Sequence, residues 1–472
     1  NQASLRLEDF IDIFLEERHV RAIGLHIEAI HDTEKFASAA MRAIEKNIPI
    51  VALKTGVSEI GARLTTSHTG SLSGTDATYS AFFKRLGICR VATPSELVEL
   101  LKFLTIAGVP TGPKIAGFTC SGGGATMLAD SAAPLELDFV QPSSQTATAL
   151  TQLLPHTATV TNPLDYTTPI WGDYERTLPV FKCLLKDEYD SAVLVQDYPA
   201  AGLDESKPHY RADSDSFIKA CRIANIPAAI CSTLPENLDA ETRSHVLQAG
   251  VAPMQGIKTC MEAMNAAANY GKRRAVLLAN PPHPFRRAEV MGSRFRQLDE
   301  ATAKSILAKA GLHVPPFHQL PMAKAISKKI DYIDLAYPVA AKICSSDICH
   351  KTEIRGVQLN ISSESELTTA ITSIINNVEH HAPDARLYGI LIESMINNAI
   401  LELMASLRRD PQFGLVLTIA SGGVMTEILQ DASTVLVPAD DISLLAALDS
   451  LRIAPLFDGF RGGQAASRTA VL

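Results

Sequence analysis

The sequence holds little that a membrane, a nucleic acid or a disulfide framework requires. No apolar run approaches the roughly 20 residues needed to span a bilayer. The longest, around AVLLANPP, breaks at Pro281. Basic charge is in deficit, with a net charge of −8 and a pI near 5.9, so no basic field draws in a phosphate backbone. The eight cysteines are scattered singly, without a CxxC pair or metal-ligand spacing. Cys344 and Cys349 are the closest pair and read as small buried apolar residues. This usage fits a reducing cytosol, and nothing at Asn1 resembles a signal peptide. Repeats and low-complexity tracts are absent as well. These absences predict a cytoplasmic protein with no nucleic-acid and no membrane partner.

What the sequence does have is length and alternation. A chain of 472 residues exceeds one core, and about two to four domains are expected. LEDFIDIFLEE and EKFASAAMRAIEK space apolar residues as amphipathic helices, while VRAIGLHIEAI and IPIVALKTG read as buried strands. That is the alternation of a parallel, doubly wound sheet. SELVELLKFLTIAG closes this unit, and VPTGPK leads to a second. There KIAGFTC is a strand, SGGG a turn and ATMLADSAAPLE a helix; SAVLVQDYP and IPAAICST are strands around the helix SFIKACRIAN. After VAPMQGIKTCMEAMNAAANY, the charged and Pro-rich KRR, NPPHP and FRR predict a linker. The remainder mixes the helices LDEATAKSILAKAG and SESELTTAITSIINNV with the strands YPVAAKICS and VQLNI. YGILIESMI and AILELMASLR are predicted as neighbours in an antiparallel sheet. The expected divisions are residues 1–110, 111–275, a linker over 276–295, and 296–472.

The most informative segment is GARLTTSHTGSLSGTDATY, residues 61–79. Small, polar and Gly residues around His68 make a poor helix or strand but a good loop. Gly70 and Gly74 permit close backbone approach, and the Ser and Thr hydroxyls can hold phosphate oxygens. A neutral imidazole is a competent nucleophile at physiological pH. It needs an acceptor on its other nitrogen, and Glu28, at the end of GLHIEAI, offers one. On residue pattern alone, catalysis by His68 and an ordinary polar surface loop both stand. The SGGGAT turn, with Ser121, Gly122, Gly123 and Gly124, follows a strand and opens a helix. Its amides and the positive helix end suit an anion. It lacks GxGxxG spacing, and an unliganded strand-to-helix turn reads equally well.

Lys342, inside the apolar strand AAKIC, invites an anion, because an unpaired buried ammonium is costly. A nucleotide phosphate is one such anion. Asp347, His350, Lys351 and Glu353 follow closely. Downstream, Glu402, Asp410 and Glu427 surround RRDPQFGLVLTIASGG, where carboxylates at strand and turn ends can hold Mg2+. Each of them also reads as a solvated charge. Trp171, the only tryptophan, is either a core anchor or the aromatic wall of a substrate pocket.

Together these segments resemble the ADP-forming (NDP-forming) acyl-CoA synthetase family, relatives of succinyl-CoA synthetase. The resemblance runs over nearly the whole chain. It is carried by VALKTGVSEIGARLTTSHTGSLSGTDATY, by YPVAAKICSSDICHKTEIRGVQLNI, and by RRDPQFG with the SGG after it; LLPHTATVTNPLDYT is a weaker match. It implies an α/β multidomain architecture, with two flavodoxin-like (succinyl-CoA synthetase-type) parallel-sheet domains followed by an α+β ATP-grasp domain. It also implies that the chain starts within the first of these and stops short of the usual end of the last, with a CoA-binding Rossmann domain outside it. By the same resemblance His68 matches a phosphorylated loop histidine and Glu28 the carboxylate that steadies it. Ser121 to Gly124 match a helix-end phosphate site, Lys342 and Glu393 match nucleotide-binding positions, and His350 matches a relay histidine near ATP. Glu402, Asp410 and Glu427 match acidic positions that serve the metal. HKTEIRGV, with Arg355, stands where HKSDVGGV is usual, and TIASGG where FGLGG is usual.

The implied reaction joins a carboxylic acid to CoA with ATP and Mg2+, through phosphohistidine and an acyl phosphate, in a protein expected to form homo-oligomers. Two relatives of this activity compete. One is a lyase variant acting on dimethylsulfoniopropionate, whose sulfonium Trp171 would hold by cation–π attraction. The other is the regulatory synthetase-like part of a protein-lysine acetyltransferase, a type that usually lacks the loop histidine. A feruloyl or other aryl-acid ligase and a non-catalytic nucleotide-binding module complete the alternatives.

Overall fold

A computed structural model describes residues 5–58, 60, 75–199, 205–285, 297–327, 334–348, 350–423 and 426–472. The first helix, α1 (Leu7–Glu16), turns Ile11 and Leu15 inward at i, i+4. The strand β1 (Ile23–Ile27) alternates buried and exposed residues, whereas β2 (Ile50–Lys54) is buried at every position, as a central parallel strand should be. Between them α2 (Thr33–Glu45) is N-capped by the Asp32 carboxylate. Then come α3 (Asp76–Leu86), β3 (Cys89–Val91) and α4 (Pro94–Ile106). The sheet is parallel in the order β1-β2-β3.

The second sheet is also parallel, in the order β5-β4-β6-β7-β8. Its strands are β4 (Ile115–Thr119), β5 (Leu164–Asp165), β6 (Ser191–Val195), β7 (Ala228–Ser232) and β8 (Ala252–Gln255). Six helices accompany them: α5 (Gly122–Ala132), α6 (Ser144–Leu153), α7 (Tyr174–Leu184), α8 (Lys207–Ala224), α9 (Ala240–Gln248) and α10 (Ile257–Ala279). Phe118 of β4 meets Phe181 and Phe217 edge-on at 4.9 and 5.7 Å, the aromatic centre of one face. The chain leaves β4 toward β5 and leaves β6 toward β7, so the sheet reverses direction between β4 and β6. The turn after β4, Ser121 to Gly124, sits at that switch point, where open α/β sheets bind ligands.

A third sheet is antiparallel, in the order β11-β10-β12-β9. It comprises β9 (Phe317–Pro321), β10 (Val339–Cys344), β11 (Val357–Ile361) and β12 (Gly389–Ser394). The helices α11 (Glu300–Lys309), α12 (Met322–Ile326) and α13 (Glu364–His381) belong to it, and α13 buries Leu367, Ile371, Ile374 and Val378 as a single stripe. The last sheet is antiparallel in the order β13-β14-β15, from β13 (Leu403–Asp410), β14 (Gly414–Ser421) and β15 (Ala432–Val437). Two further helices, α14 (Thr426–Leu429) and α15 (Asp441–Asp449), flank β15 in sequence.

Contacts divide the chain into two compact units: residues 1–289, 403–454 and 467–472 in one, residues 290–402 and 455–466 in the other. The stretch 296–472 therefore contributes to both. The β13–β15 sheet is built onto the first parallel sheet, and Phe413, Val416 and Leu436 share a core with Phe36, Tyr79 and Phe82.

Two sequence expectations are corrected. AILELMASLR is not a neighbour of YGILIESMI: β12 pairs with β10 and β9, and β13 pairs with β14 from Leu403↔Ser421 to Asp410↔Gly414. The cause is local. The Asp410 carboxylate accepts the amides of Gln412 and Phe413 at 2.9 and 3.1 Å, and Gly414 takes φ +72°, so DPQFG closes a hairpin on itself. Likewise KRR is not linker, because α10 continues through it to Ala279 and buries Leu277. The seven described cysteines are free. Among the described residues no helix is long and apolar enough to cross a membrane.

Candidate functional site

At the C-terminal edge of the first sheet, Ile27 of β1 stands opposite Lys54 of β2. Glu28 follows β1 directly and is exposed, at the end of the sheet where parallel folds place ligands. Lys54 is only 5% exposed. Its ammonium bonds the Thr55 carbonyl and lies 4.7 Å from the Tyr79 ring centre. Burial pushes the Lys54 pKa down, and Asp76 and Glu28 act against that shift. His68 lies outside the described residues.

The turn predicted to hold phosphate is a true strand-to-helix turn. Ser121 is the N-cap of α5 in extended conformation and makes no side-chain capping bond, and Ser121, Gly122 and Gly123 are exposed. Gly124 is buried, and a Cβ there would meet Thr119 Oγ1 at 2.5 Å. The backbone must therefore approach β4 as closely as only glycine allows. Nearby, Asp213 is fully buried. It accepts the Tyr166 hydroxyl at 2.6 Å and the Gly172 amide at 2.8 Å. Burial pushes its pKa up from 3.8 to about 6, against those two bonds. This carboxyl pins the loop that carries Trp171. The Trp171 ring centre lies 4.8 Å from that of Tyr210 and 5.5 Å from that of His209. Its buried Nε1 finds no partner among the described residues.

In the other unit Lys342 does meet carboxylates. On the adjacent strands β10 and β12, its Nζ contacts Glu393 Oε1, and it lies 2.9 Å from Glu300 Oε1 at the start of α11. Glu300 Oε2 reaches Lys351 at 2.7 Å, and Glu393 Oε2 reaches Lys304 at 2.8 Å. The result is a chain Lys351–Glu300–Lys342–Glu393–Lys304, with one positive charge in excess. Burial opposes the Lys342 charge, but Glu393 and Glu300 outweigh it and hold its pKa above the ordinary 10.5. Burial likewise opposes ionised Glu300, yet Lys351 and Lys342 keep its pKa below the usual 4.5. His350 is 77% exposed, with Nδ1 3.9 Å from Glu353.

Of the three acidic residues, Asp410 is 3% exposed. Its Oδ1 accepts two amides and its Oδ2 binds Arg408 at 3.0 Å. Glu402 is exposed and belongs to the other unit. Glu427 lies on α14, with its side chain outside the described set. Among the described residues no three His, Cys, Asp or Glu form a metal-holding group.

Two family models match: one described as an ATP-grasp domain over residues 289–472, the other as a succinyl-CoA ligase like flavodoxin domain over residues 1–104. Subunit beta of acetate–CoA ligase (ADP-forming) II from Pyrococcus furiosus is 31% identical over 185 residues, 39% of this chain and 77% of that protein. The chain belongs to the ADP-forming acyl-CoA synthetase family. Acetate–CoA ligase (ADP-forming) I from Archaeoglobus fulgidus is 26% identical over 485 residues, 100% of this chain and 67% of that one. The chain spans about two thirds of the length of the full-length synthetases it matches. The solved dinucleotide-forming acetyl-coenzyme A synthetase 1 of Ca. Korarchaeum cryptofilum, in complex with phosphate and ADP, shares the fold. Its TM-score is 0.51 at 22% identity, over 59% of each chain.

Glu300, Lys304 and Arg408 were not singled out by the sequence. The first two had a signal, since EATAK places a carboxylate and an ammonium four residues apart on one helix face. For Arg408 only the Asp410 partner is local; Thr75 and Thr78 lie more than 300 residues away in sequence, and nothing in the pattern announced them.

Proposed function

We propose that this chain is the phosphoryl-transfer part of an enzyme that joins a carboxylic acid to CoA, converting ATP to ADP and phosphate. The observation that supports this most is the alternating Lys351–Glu300–Lys342–Glu393–Lys304 chain, on β10, β12, α11 and the turn before β11. Three ammonium groups around two carboxylates, on a sheet of an ATP-grasp domain, suit the phosphates of a nucleotide. His68 then attacks the γ-phosphorus; the N–P bond forms, the bond to the β-phosphate oxygen breaks, and ADP leaves. Glu28, at the sheet edge that precedes the His68 segment, accepts the other imidazole N–H and keeps the attacking nitrogen unprotonated. His350 is a relay on the nucleotide side.

The phosphoryl group passes next to the carboxylate of the acid, regenerating histidine and giving an acyl phosphate. Ser121 to Gly124 hold its oxygens on exposed amides at the α5 terminus. CoA thiolate attacks the acyl carbon and phosphate departs. Mg2+ would neutralise charge on the nucleotide phosphates. The acidic positions proposed for it are Glu402, Asp410 and Glu427, on the family resemblance alone. Assembly into a homo-oligomer belongs to the same reading.

The test is incubation of full-length protein with γ-32P-ATP and Mg2+, with His68→Ala beside the wild type. Acid-labile, alkali-stable label that vanishes in the variant is expected. Equal labelling of both proteins would move the covalent site elsewhere, and no label on either would sink the phosphohistidine route.

A further inference from the structure

The helix α3 begins just after the segment that carries His68, and arginines tie both of its ends to the β13–β15 sheet. At its start, Arg408 of β13 donates from Nη2 to Thr78 Oγ1 at 2.7 Å and to Thr75 Oγ1 at 3.3 Å. The two hydroxyls are themselves 2.7 Å apart. At its end, Arg85 donates from Nη1 to the carbonyls of Leu436 and Pro438 at 2.8 and 2.7 Å. A second guanidinium, Arg90 of β3, grips the same first turn through Asp76 at 2.5 Å and through Ser80.

Helix stability does not call for this arrangement. Thr75 is the N-cap, yet its side chain makes no capping bond, because its hydroxyl is held by Arg408 and Thr78. A cation at a helix start also opposes the macrodipole. What fixes Arg408 is the hairpin: Asp410, beside it on β13, binds Nη1 with Oδ2 while Oδ1 holds the DPQFG turn. The turn in turn enters the first domain, with the Gln412 carbonyl accepting Thr33 Oγ1 at 2.7 Å and Gln412 Nε2 donating to the Ile30 carbonyl at 3.0 Å. The residues at the root of the His68 segment, Thr75 and Thr78, and the Ile30 carbonyl, two residues after Glu28, are thus held by one hairpin of the ATP-grasp segment.

We propose that Arg408 is a positioning residue for phosphoryl transfer: through Thr75 and Thr78 it sets the C-terminal root of the His68 segment against the β13–β14 hairpin. This rests on the reading of His68 as the phosphoryl carrier. Arg408 touches neither the nucleotide nor the reacting atoms in this role, so its loss slows transfer and leaves nucleotide binding alone.

The experiment compares full-length wild type, Arg408→Met, Thr78→Val and the double variant in rapid-quench labelling with γ-32P-ATP and Mg2+, with thermal unfolding of each. Arg408→Met should form phosphoenzyme about tenfold more slowly, as a misplaced reacting group does, with the ATP concentration for half-maximal rate within about twofold of wild type. The double variant should be no slower than Arg408→Met, since both changes break one contact. Arg408→Lys keeps the charge but not the fork, and should recover only part of the rate. Wild-type kinetics in Arg408→Met, slowing that tracks lost thermal stability, or single effects that multiply in the double variant would each overturn the proposal. Absence of label on the wild type is a different outcome and overturns the His68 reading on which it rests.

Discussion

The Phe413 ring stands edge-on to the Tyr79 ring, with centres 4.9 Å apart, although the two lie on opposite sides of the chain's division into family domains. Phe413 also meets Phe82 edge-on at 5.1 Å, and both Phe413 and Tyr79 are essentially inaccessible. The DPQFG hairpin is therefore part of the core of the first parallel-sheet domain. Its removal should be felt there.

Phe413→Ala should destabilise that unit by about 3–5 kcal/mol, the usual loss for an aromatic deleted from a close-packed core. Urea unfolding of the wild type and variant checks it. A midpoint shift worth less than about 1 kcal/mol would mean that the hairpin is peripheral rather than shared core.

How much of this was legible in the sequence follows from where each interaction lies along the chain. The parallel strands announce themselves through local patterns such as IVALK and AAICS, every residue of which is buried. The SGGG turn was readable because strand, glycines and helix are contiguous. Lys342 was readable because a lone cation in an apolar strand demands a partner. The partner Glu300 was not, since pairing across 42 residues depends on how α11 packs. The β13–β14 pairing failed for the opposite reason: a strong local turn at Asp410 overrode a plausible neighbour further back. The turn-forming part of Asp410 was not legible, because a carboxylate beside glycines suits metal and turn alike, and its bonds to the Gln412 and Phe413 amides appear only in the fold.

The Glu300 carboxylate gives the lysine chain a definite pH signature. Its pKa in the fold lies below the ordinary 4.5, so its contribution is present above that pH and is lost as pH falls through the lower, folded value. Lys342 is shifted upward from 10.5, so its contribution is complete below that pH and fades only as pH rises further. The chain is intact across the neutral range. Glu300→Gln should lower stability by about 1–3 kcal/mol at pH 7, and the gap from wild type should close below pH 4.5. Melting curves between acid and neutral pH test this; a gap that persists in acid would assign the loss to shape, not charge.

Asp213 predicts the reverse slope. Its carboxyl, raised from 3.8 to about 6 by burial, binds its proton more tightly in the fold than in the unfolded chain. Stability therefore falls as pH rises through that window. Asn at this position can accept the Gly172 amide and donate to the Tyr166 oxygen without carrying charge. Asp213→Asn should flatten the dependence and add up to about 3 kcal/mol at pH 7. Parallel pH profiles for the two proteins would show that Asp213 does not titrate in the fold as described.

The tightest local constraint on the proposed phosphate turn is the approach of Gly124 to Thr119. A Cβ at Gly124 would lie 2.5 Å from Thr119 Oγ1 and 3.3 Å from its Cβ, and Thr119 is only 2% exposed. The clash has no easy relief, because that hydroxyl also accepts the Ser121 amide at 3.3 Å. Gly124→Ala should therefore cost about 1–3 kcal/mol by overpacking, despite alanine's better helix propensity. It should also push the α5 terminus off β4 and weaken the phosphate turn. Thr119→Ala in the same chain removes the opposing oxygen, so the double variant should recover most of the stability lost in Gly124→Ala. Coupling of this kind marks two residues in contact, and it is read from a thermal-unfolding cycle of the four proteins. Additive losses would show instead that α5 accommodates the methyl by another route, and the close backbone approach would no longer explain why glycine stands at this position.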